Sequence, residues 1–593
     1  MTRTPLRPLA RILKARDQGQ NPDAIEAENI RLRYEDDRDR ARNRAEGRLL
    51  VMGLAFFCAF IVIGARMGML AGSVPEEPAT QVSSSPIIGQ RSNIVDRNGR
   101  ILAMNLDTHS LYAQISDMID PGKVAHDLAV IFPELDEEVL LKDFTGERRF
   151  LWIRRQISPE QMQAVHDIGD PGLLFGPREM RLYPNGSVAA HILGGATYGR
   201  EGVTAAEVIG VAGVEKYFDD FLRDPANNGA PLELSIDLTV QAASERVLQG
   251  GMMLMSAKGA SSVLMDVHTG EIISMVSLPD FDPNDRPRIL TEGDQSDSAL
   301  FNRAIQGVYE LGSVFKIFAV SQAIQIGLIE ANTMIDTTGP LAWGRFRIRD
   351  FHDYGPQLTV EDVIVQSSNI GTARIAMMIG ADRQREFLGS LGLLVETPVE
   401  MVEAPTGDPL LPSNWSEIST MTISYGHGLS SSPVHLATAY ASLLNGGYRI
   451  EPTIMRQNGP RYGSRVVSEK VSTIARNMLR AVVVRGTASF GDVEGYEVGG
   501  KTGTADKPRS TGGYYDDRTI ATFASVFPAS DPQYVLIVTL DEPTVEVLGE
   551  KRRTSGWTAV PVAAEMIRRI TPLLGMRPDV ETLTPTGVTF NSN

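Results

Sequence analysis

Two side chains three residues apart, Ser313 and Lys316, lie in the stretch Tyr309-Glu310-Leu311-Gly312-Ser313-Val314-Phe315-Lys316-Ile317-Phe318 and could together perform nucleophilic catalysis. A serine hydroxyl is a weak nucleophile until a base takes its proton, and a lysine serves as that base only when its pKa is pulled down. The stretch reads as a helix. On a helix, residues i and i+3 share a face with Cβ atoms about 5–6 Å apart, so the Lys316 amine can reach the Ser313 oxygen. Alone the pattern is weak, because average composition gives about two Ser-x-x-Lys matches by chance in a chain of this length.

Two further stretches carry groups that would complete such a site. Gln366-Ser367-Ser368-Asn369 offers a hydroxyl and an amide two residues apart inside an otherwise helical neighbourhood, Val360 to Ile379. Residues at that spacing do not face one way on a helix, so Ser367 and Asn369 share a cleft only if a loop interrupts it. Ser-Ser-Asn is also an ordinary loop or capping sequence. Lys501-Thr502-Gly503-Thr504 follows Val498-Gly499-Gly500. As an edge strand it would offer a backbone N–H to an oxyanion, a close approach for ligand at Gly503 and a cation at Lys501. The other reading is a Gly-rich turn beside a strand.

The elements around these stretches predict an α+β domain. Val240 to Gln249 reads as a helix, and Ser261 to Val267 and Glu271 to Val276 read as strands about the turn His268-Thr269-Gly270. Ile520 to Val526 and Tyr534 to Leu540 form a second apolar pair, and Val560 to Ile570 a closing helix. Strands from both ends of a domain with helices inserted between them imply an antiparallel sheet carrying a helical region. Before it, Gly89 to Ala103 alternates like a strand and turns at Asn98-Gly99, a hairpin signal. The block up to residue 233 is a mixed scaffold without a catalytic constellation. His191 there has no partner at metal-ligand spacing and is assigned a structural role.

The 593 residues suggest several domains, and the net charge of −16 argues against a nucleic acid partner. The one cysteine, Cys58, excludes an internal disulfide framework and a cysteine metal site. Leu49 to Ala65 is an uncharged apolar run continuing through Met67, Met69 and Leu70, long enough to span a bilayer as a helix of about 20 residues. Arg31, Arg33, Arg38, Arg40, Arg42, Arg44 and Arg48 precede it, which places the amino terminus in the cytoplasm and the rest outside. A cleaved signal peptide is disfavoured by the long tail before the run. The expected domains are a cytoplasmic tail 1–48, a transmembrane helix 49–70, a pedestal 71–233 opening on a Pro/Ser linker from Val74 to Pro86, a catalytic domain 234–576 and a polar tail 577–593.

Taken in order within one domain, Ser313-Val314-Phe315-Lys316, Ser367-Ser368-Asn369 and Lys501-Thr502-Gly503-Thr504 resemble the penicillin-binding protein and serine β-lactamase superfamily. Arg91 to Ala103, Arg181 to Gly194, Gly213 to Asp219, Asp237 to Gln241 and Tyr425-Gly426-His427-Gly428 are similar to the class B, monofunctional members, whose non-catalytic pedestal is membrane-anchored. The resemblance covers Gly89 to Ile570 and is nearest to the septal, cell-division branch. Leu311 stands where the family commonly has Pro, and Ser92 where it often has Gly.

The resemblance implies a peptidoglycan D,D-transpeptidase with Ser313 as nucleophile and Lys316 as its base, without metal or organic cofactor. It implies Ser367 and Lys501 as a proton relay, Asn369 as orienter of the substrate amide, and Thr502, Gly503 and Thr504 as the substrate and oxyanion wall. His427 is assigned a structural position. Implied partners are peptidoglycan stem peptides and their lipid-linked precursor, β-lactams as covalent inhibitors, a polytopic glycan polymerase and other division proteins, at a bacterial inner membrane. Other readings are an elongation-type transpeptidase, a D,D-carboxypeptidase or β-lactamase, and a non-catalytic β-lactam sensor or division scaffold.

Overall fold

The computed structural model describes residues 7–19, 21–72, 91–146, 148–201, 206–509 and 512–579. The chain forms two compact units, Met1–Pro86 and Ile87–Asn593. In the first, a short helix Arg7–Asp17 precedes one continuous helix, Pro22–Gly72. Within the long helix Arg48–Ala65 is long and apolar enough to cross a membrane, and its side chains are exposed. The expected linker Val74–Pro86 lies outside the described residues, as does the carboxy-terminal tail beyond Asp579.

In the second unit the five-stranded antiparallel sheet has the order Gly499–Pro508, Tyr514–Phe527, Tyr534–Asp541, Gly259–Asp266, Ile272–Leu278. Both expected strand pairs are present, joined through the central partners Tyr534–Asp541 and Gly259–Asp266. Their near-continuous apolar sequence follows from coverage on both faces. Helix Pro433–Leu444 packs against them, as do Leu238–Leu254 and Ala559–Ile570. Every residue of Pro433–Leu444 is buried, so this helix has no polar face and joins the sheet to the helical region. Strand Gly499–Pro508 is the sheet's edge, as one of the two readings required.

The pedestal is built on a long strand, Ile101–Gln114, paired antiparallel with Ile94–Val95, Phe150–Ile157 and Leu173–Leu182. The turn falls at Asp96 to Arg100, with Gly99 at φ 78°. Leu111, Val124, Leu128 and Phe132 close a small core of their own. Ile94, Leu102 and Ile192 instead join the main core that runs through the sheet domain. The hairpin turn also grips the start of helix Leu238–Leu254. Asp96 accepts from the Leu238 N–H at 3.0 Å, and Arg100 and Asn98 reach Asp237 at 2.7 and 2.8 Å.

The Arg91, Arg181 and Gly213–Asp219 motifs meet in one buried network. Glu215, fully buried, receives Arg91 at 2.6 Å, Arg181 at 2.7 Å and the Tyr183 hydroxyl at 3.2 Å, while Arg91 also pairs with Asp219 at 2.7 Å. Ser92 sits inside this network through its backbone, donating to Leu222 O at 2.8 Å and accepting from Arg181 at 3.0 Å. His191 is buried edge-on to Phe281, with Nε2 3.3 Å from Pro279 O, and burial pushes its pKa down to about 4. Glu215→Ala leaves two buried guanidinium groups without their shared carboxylate and is expected to destabilise the protein by about 3–5 kcal/mol. The midpoint of urea unfolding measures it; a loss below about 1 kcal/mol, the range of an exposed pair, would contradict the role given to this network.

Candidate active site

The segment that reads as a helix from Tyr309 onward divides in two. Gly312–Phe315 is a tight 3-10 turn, and the α-helix proper begins at Lys316 and runs to Gln325. Gly312 has φ +65°, a conformation that β-carbon-bearing residues rarely adopt, and the turn forms with Leu311, at φ −89°, in place of Pro. From behind, the fully buried Tyr440 of helix Pro433–Leu444 donates its hydroxyl to Val314 O at 2.8 Å. Its ring stands edge-on to Phe318, which in turn meets Phe315, both at 5.5 Å between centroids. This apolar backing leaves Ser313 half-buried and open to the cleft and Lys316 fully buried beneath it.

The helical neighbourhood around Ser367 is likewise broken. Helix Val360–Val365 ends, Ser367 takes φ 64°, and a second helix starts at Asn369 and runs to Ile379. A non-glycine residue in this region stores on the order of 1–3 kcal/mol of strain that its surroundings must hold. The break turns the Ser367 hydroxyl toward both lysines. Lys316 Nζ lies 3.0 Å from Ser367 Oγ and also bonds its backbone oxygen, and Lys501 Nζ lies 3.0 Å from the same Oγ.

An aspartate that the sequence pattern did not single out fixes this break. Asp350 accepts from Ser368 Oγ at 2.7 Å and from the Asn369 and Ile370 N–H groups at 2.5 and 3.0 Å, capping the second helix. Its partners lie 18 to 20 residues away, so no local periodicity announces it. Asn369 lines the cleft while its Nδ2 donates to Arg349 O at 3.0 Å.

Burial, first, and the nearby Lys501 charge, second, hold the Lys316 amine well below the usual lysine range, against the opposing charge of Asp350. Of the two causes, desolvation is larger than repulsion between the lysines. Burial pushes Lys501 to about 7. The hydroxyl of Ser367 thus bridges two buried amines whose charged forms burial disfavours, an arrangement that can pass protons in either direction.

The edge strand supplies the opposite wall. Thr502 and Thr504 line the cleft, Thr502 Oγ1 lying 2.8 Å from Thr487 Oγ1 and Thr504 Oγ1 accepting from the Ser555 N–H at 3.0 Å. Gly503 differs from expectation. A Cβ there would fall 2.2 Å from Leu311 O and 3.0 Å from Val314 Cγ1, so this glycine admits the nucleophile turn, not a ligand. Alternation along a strand turns Thr502 and Thr504 to the cleft and the position between them to the core. The same contact is repeated on the other side of the turn: a Cβ on Gly312 would meet Thr504 O at 2.7 Å, and one on Gly426 would fall 1.9 Å from Gly312 O.

Gly426 carries the Tyr425-Gly426-His427-Gly428 stretch into the site, and His427, assigned a structural position from sequence, lines the same cleft as Ser313. The cleft holds about 590 Å³, with Phe351, His352, Phe490 and Trp557 among its walls.

The chain has counterparts among known proteins. Residues 260–568 match the penicillin binding protein transpeptidase domain and residues 86–227 the penicillin-binding protein dimerisation domain. The chain is 34% identical over 572 residues to the "Probable peptidoglycan D,D-transpeptidase FtsI" of Caulobacter vibrioides, covering 93% of this chain and 94% of the relative. It is 27% identical to the peptidoglycan D,D-transpeptidase FtsI of Escherichia coli K12, covering 90% and 92%. The crystal structure of penicillin binding protein 3 from Mycobacterium tuberculosis shares the fold, with a TM-score of 0.62 and 24% identity over 83% of this chain and 98% of that one.

Proposed function

Because the chain belongs to the penicillin-binding protein transpeptidase family, we propose that it cross-links peptidoglycan stem peptides through an acyl-enzyme on Ser313 during septal wall synthesis. One observation carries the residue assignment: Lys316 and Lys501, both fully buried, converge on Ser367 Oγ beside the turn that presents Ser313.

In this reading Ser313 Oγ attacks the carbonyl of the penultimate D-alanine while Lys316, whose charged form burial opposes, takes its proton. The N–H groups of Ser313 and Thr504 receive the oxyanion, an interaction whose loss typically lowers rate by about 10²–10³. Lys501 and Ser367 pass a proton to the departing D-alanine amine, so the C–N bond breaks without expelling an anion. Asn369 orients the substrate amide, and Thr502 and Thr504 bind the terminal carboxylate. Gly503 contributes the close packing that sets the turn against this wall. An amine of a second stem peptide then takes the acyl group.

The same reading gives the chain one membrane span at Leu49 to Leu70, an amino terminus in the cytoplasm and a pedestal and catalytic domain in the periplasm, with boundaries at 233 and 576. The basic tail before the span and the exposed apolar face of Arg48–Ala65 support it. β-Lactams would be covalent inhibitors. A membrane glycan polymerase and other division proteins would meet the span.

Incubation of the detergent-solubilised full chain with benzylpenicillin tests the assignment. Intact mass is expected to rise by one penicilloyl group, which peptide mapping places on Ser313; a folded protein without an adduct at early times would reject it. The active form also requires one proton on the lysine pair. Turnover of a peptide donor is therefore expected to fall on an alkaline limb near pH 7 as Lys501 loses its proton. A profile rising without a maximum up to pH 10 would contradict it.

A further inference from the structure

We propose that His427, backed by Glu310, accepts the proton of the incoming amine in the second half of the transfer. The inference rests on the transpeptidase reading and extends it to the acceptor. The cleft is electrically uneven. At one end Lys316 and Lys501 flank Ser367; at the other, His427 feels the carboxylates of Glu310 and Asp506 as well as the Lys316 charge, with the Tyr425 and Tyr514 rings at 5.5 and 6.3 Å. The first end suits a carboxylate and a leaving amine. The second suits a primary amine.

His427 is tied to the nucleophile turn by a backbone contact. The Gly312 N–H donates to Gly426 O at 3.2 Å, so the residue before the nucleophile is bonded to the residue before the histidine. Glu310 is held as firmly. Its Oε1 accepts the Gly428 N–H at 2.7 Å and the Tyr514 hydroxyl at 3.1 Å. The other oxygen, Oε2, and His427 Nδ1 are both buried and without a hydrogen-bond partner among the described residues. Buried polar atoms are seldom left unpaired, and a primary amine brings two N–H donors while an imidazolium adds one. Burial keeps the imidazole neutral at lower pH than usual, while the Glu310 charge favours the imidazolium once a proton arrives.

In the step itself the neutral amine nitrogen forms a bond to the acyl carbon and the ester bond to Ser313 Oγ breaks. The amine proton passes to His427, and Lys316 returns to Ser313 the proton it took during acylation. Charge is conserved, since one lysinium is lost and one imidazolium gained.

The test uses the full chain in detergent with an N-acyl-D-alanyl thioester as donor and a D-amino acid as acceptor, reading the ratio of transfer product to hydrolysis product. In His427→Gln the ratio is expected to fall by about 100-fold or more, the usual contribution of a general base, while benzylpenicillin still acylates Ser313. Glu310→Gln is expected to lower the ratio in the same direction. An unchanged ratio, or transfer and hydrolysis falling together, overturns the proposal. Should His427→Gln fail to take benzylpenicillin, the ratio in Glu310→Gln decides. Failure of the parent protein to form any adduct would instead strike the transpeptidase reading itself.

Discussion

Ser313→Ala is expected to take up no benzylpenicillin and to lower peptide transfer by about 10⁶, the scale seen when a serine enzyme loses its nucleophile. The loss should be chemical, not structural. Ser313 is half-buried at the cleft, and the contacts that hold its turn are the Tyr440 bond to Val314 O, the Phe315 and Phe318 packing and the three close glycines. None involves the Ser313 hydroxyl, so unfolding should match the parent within about 0.5 kcal/mol. Non-covalent binding of substrate should survive, measured by equilibrium titration. An adduct in the variant would move the nucleophile elsewhere.

Lys316→Met is expected to separate activity from stability. Removing the base should slow acylation by about 10²–10⁴. The stability effect runs the other way, because an amine whose charged form is opposed by burial is replaced by an apolar chain of similar length. For a lysine whose native pKa is lowered, the unfolded chain binds more protons between the native value and the ordinary 10.5, so the parent's stability falls as pH falls through that interval. The methionine variant loses this share of the pH dependence. Urea unfolding from pH 6 to 10 should therefore show a shallower slope and a stability equal to or above the parent's at neutral pH. A variant that is both inactive and strongly destabilised would mean that Lys316 serves mainly to tie down Ser367.

Much of this site is legible in the chain because its chemistry needs particular side chains in a particular order. Ser313, Lys316, Ser367, Asn369 and Lys501 stand out by type, and the apolar strands on either side foretell the sheet that carries them. What is illegible depends on contacts between distant backbones. Nothing near Ser367 in sequence announces its left-handed turn, since the carboxylate that stabilises the following helix comes from Asp350 in another loop. Gly503 looks like room for a ligand until the Leu311 carbonyl is found occupying that room. His427 looks dispensable because a lysine already serves the nucleophile; only the fold brings it to the same cleft, with Glu310 bonded to the Gly428 N–H beside it.

The stack of Gly426, Gly312 and strand Gly499–Pro508 also bears on how an inhibitor could select variants. At Gly312, Gly426 and Gly503 the first carbon added collides with backbone, at 2.7, 1.9 and 2.2 Å, so a change there disables the enzyme together with its susceptibility. Adaptation that keeps transfer while rejecting a drug has to run through residues that can vary without moving the nucleophile. Those are the exposed aromatic walls, Phe351, Phe490 and Trp557, where a drug's side groups, not its reacting ring, would be read.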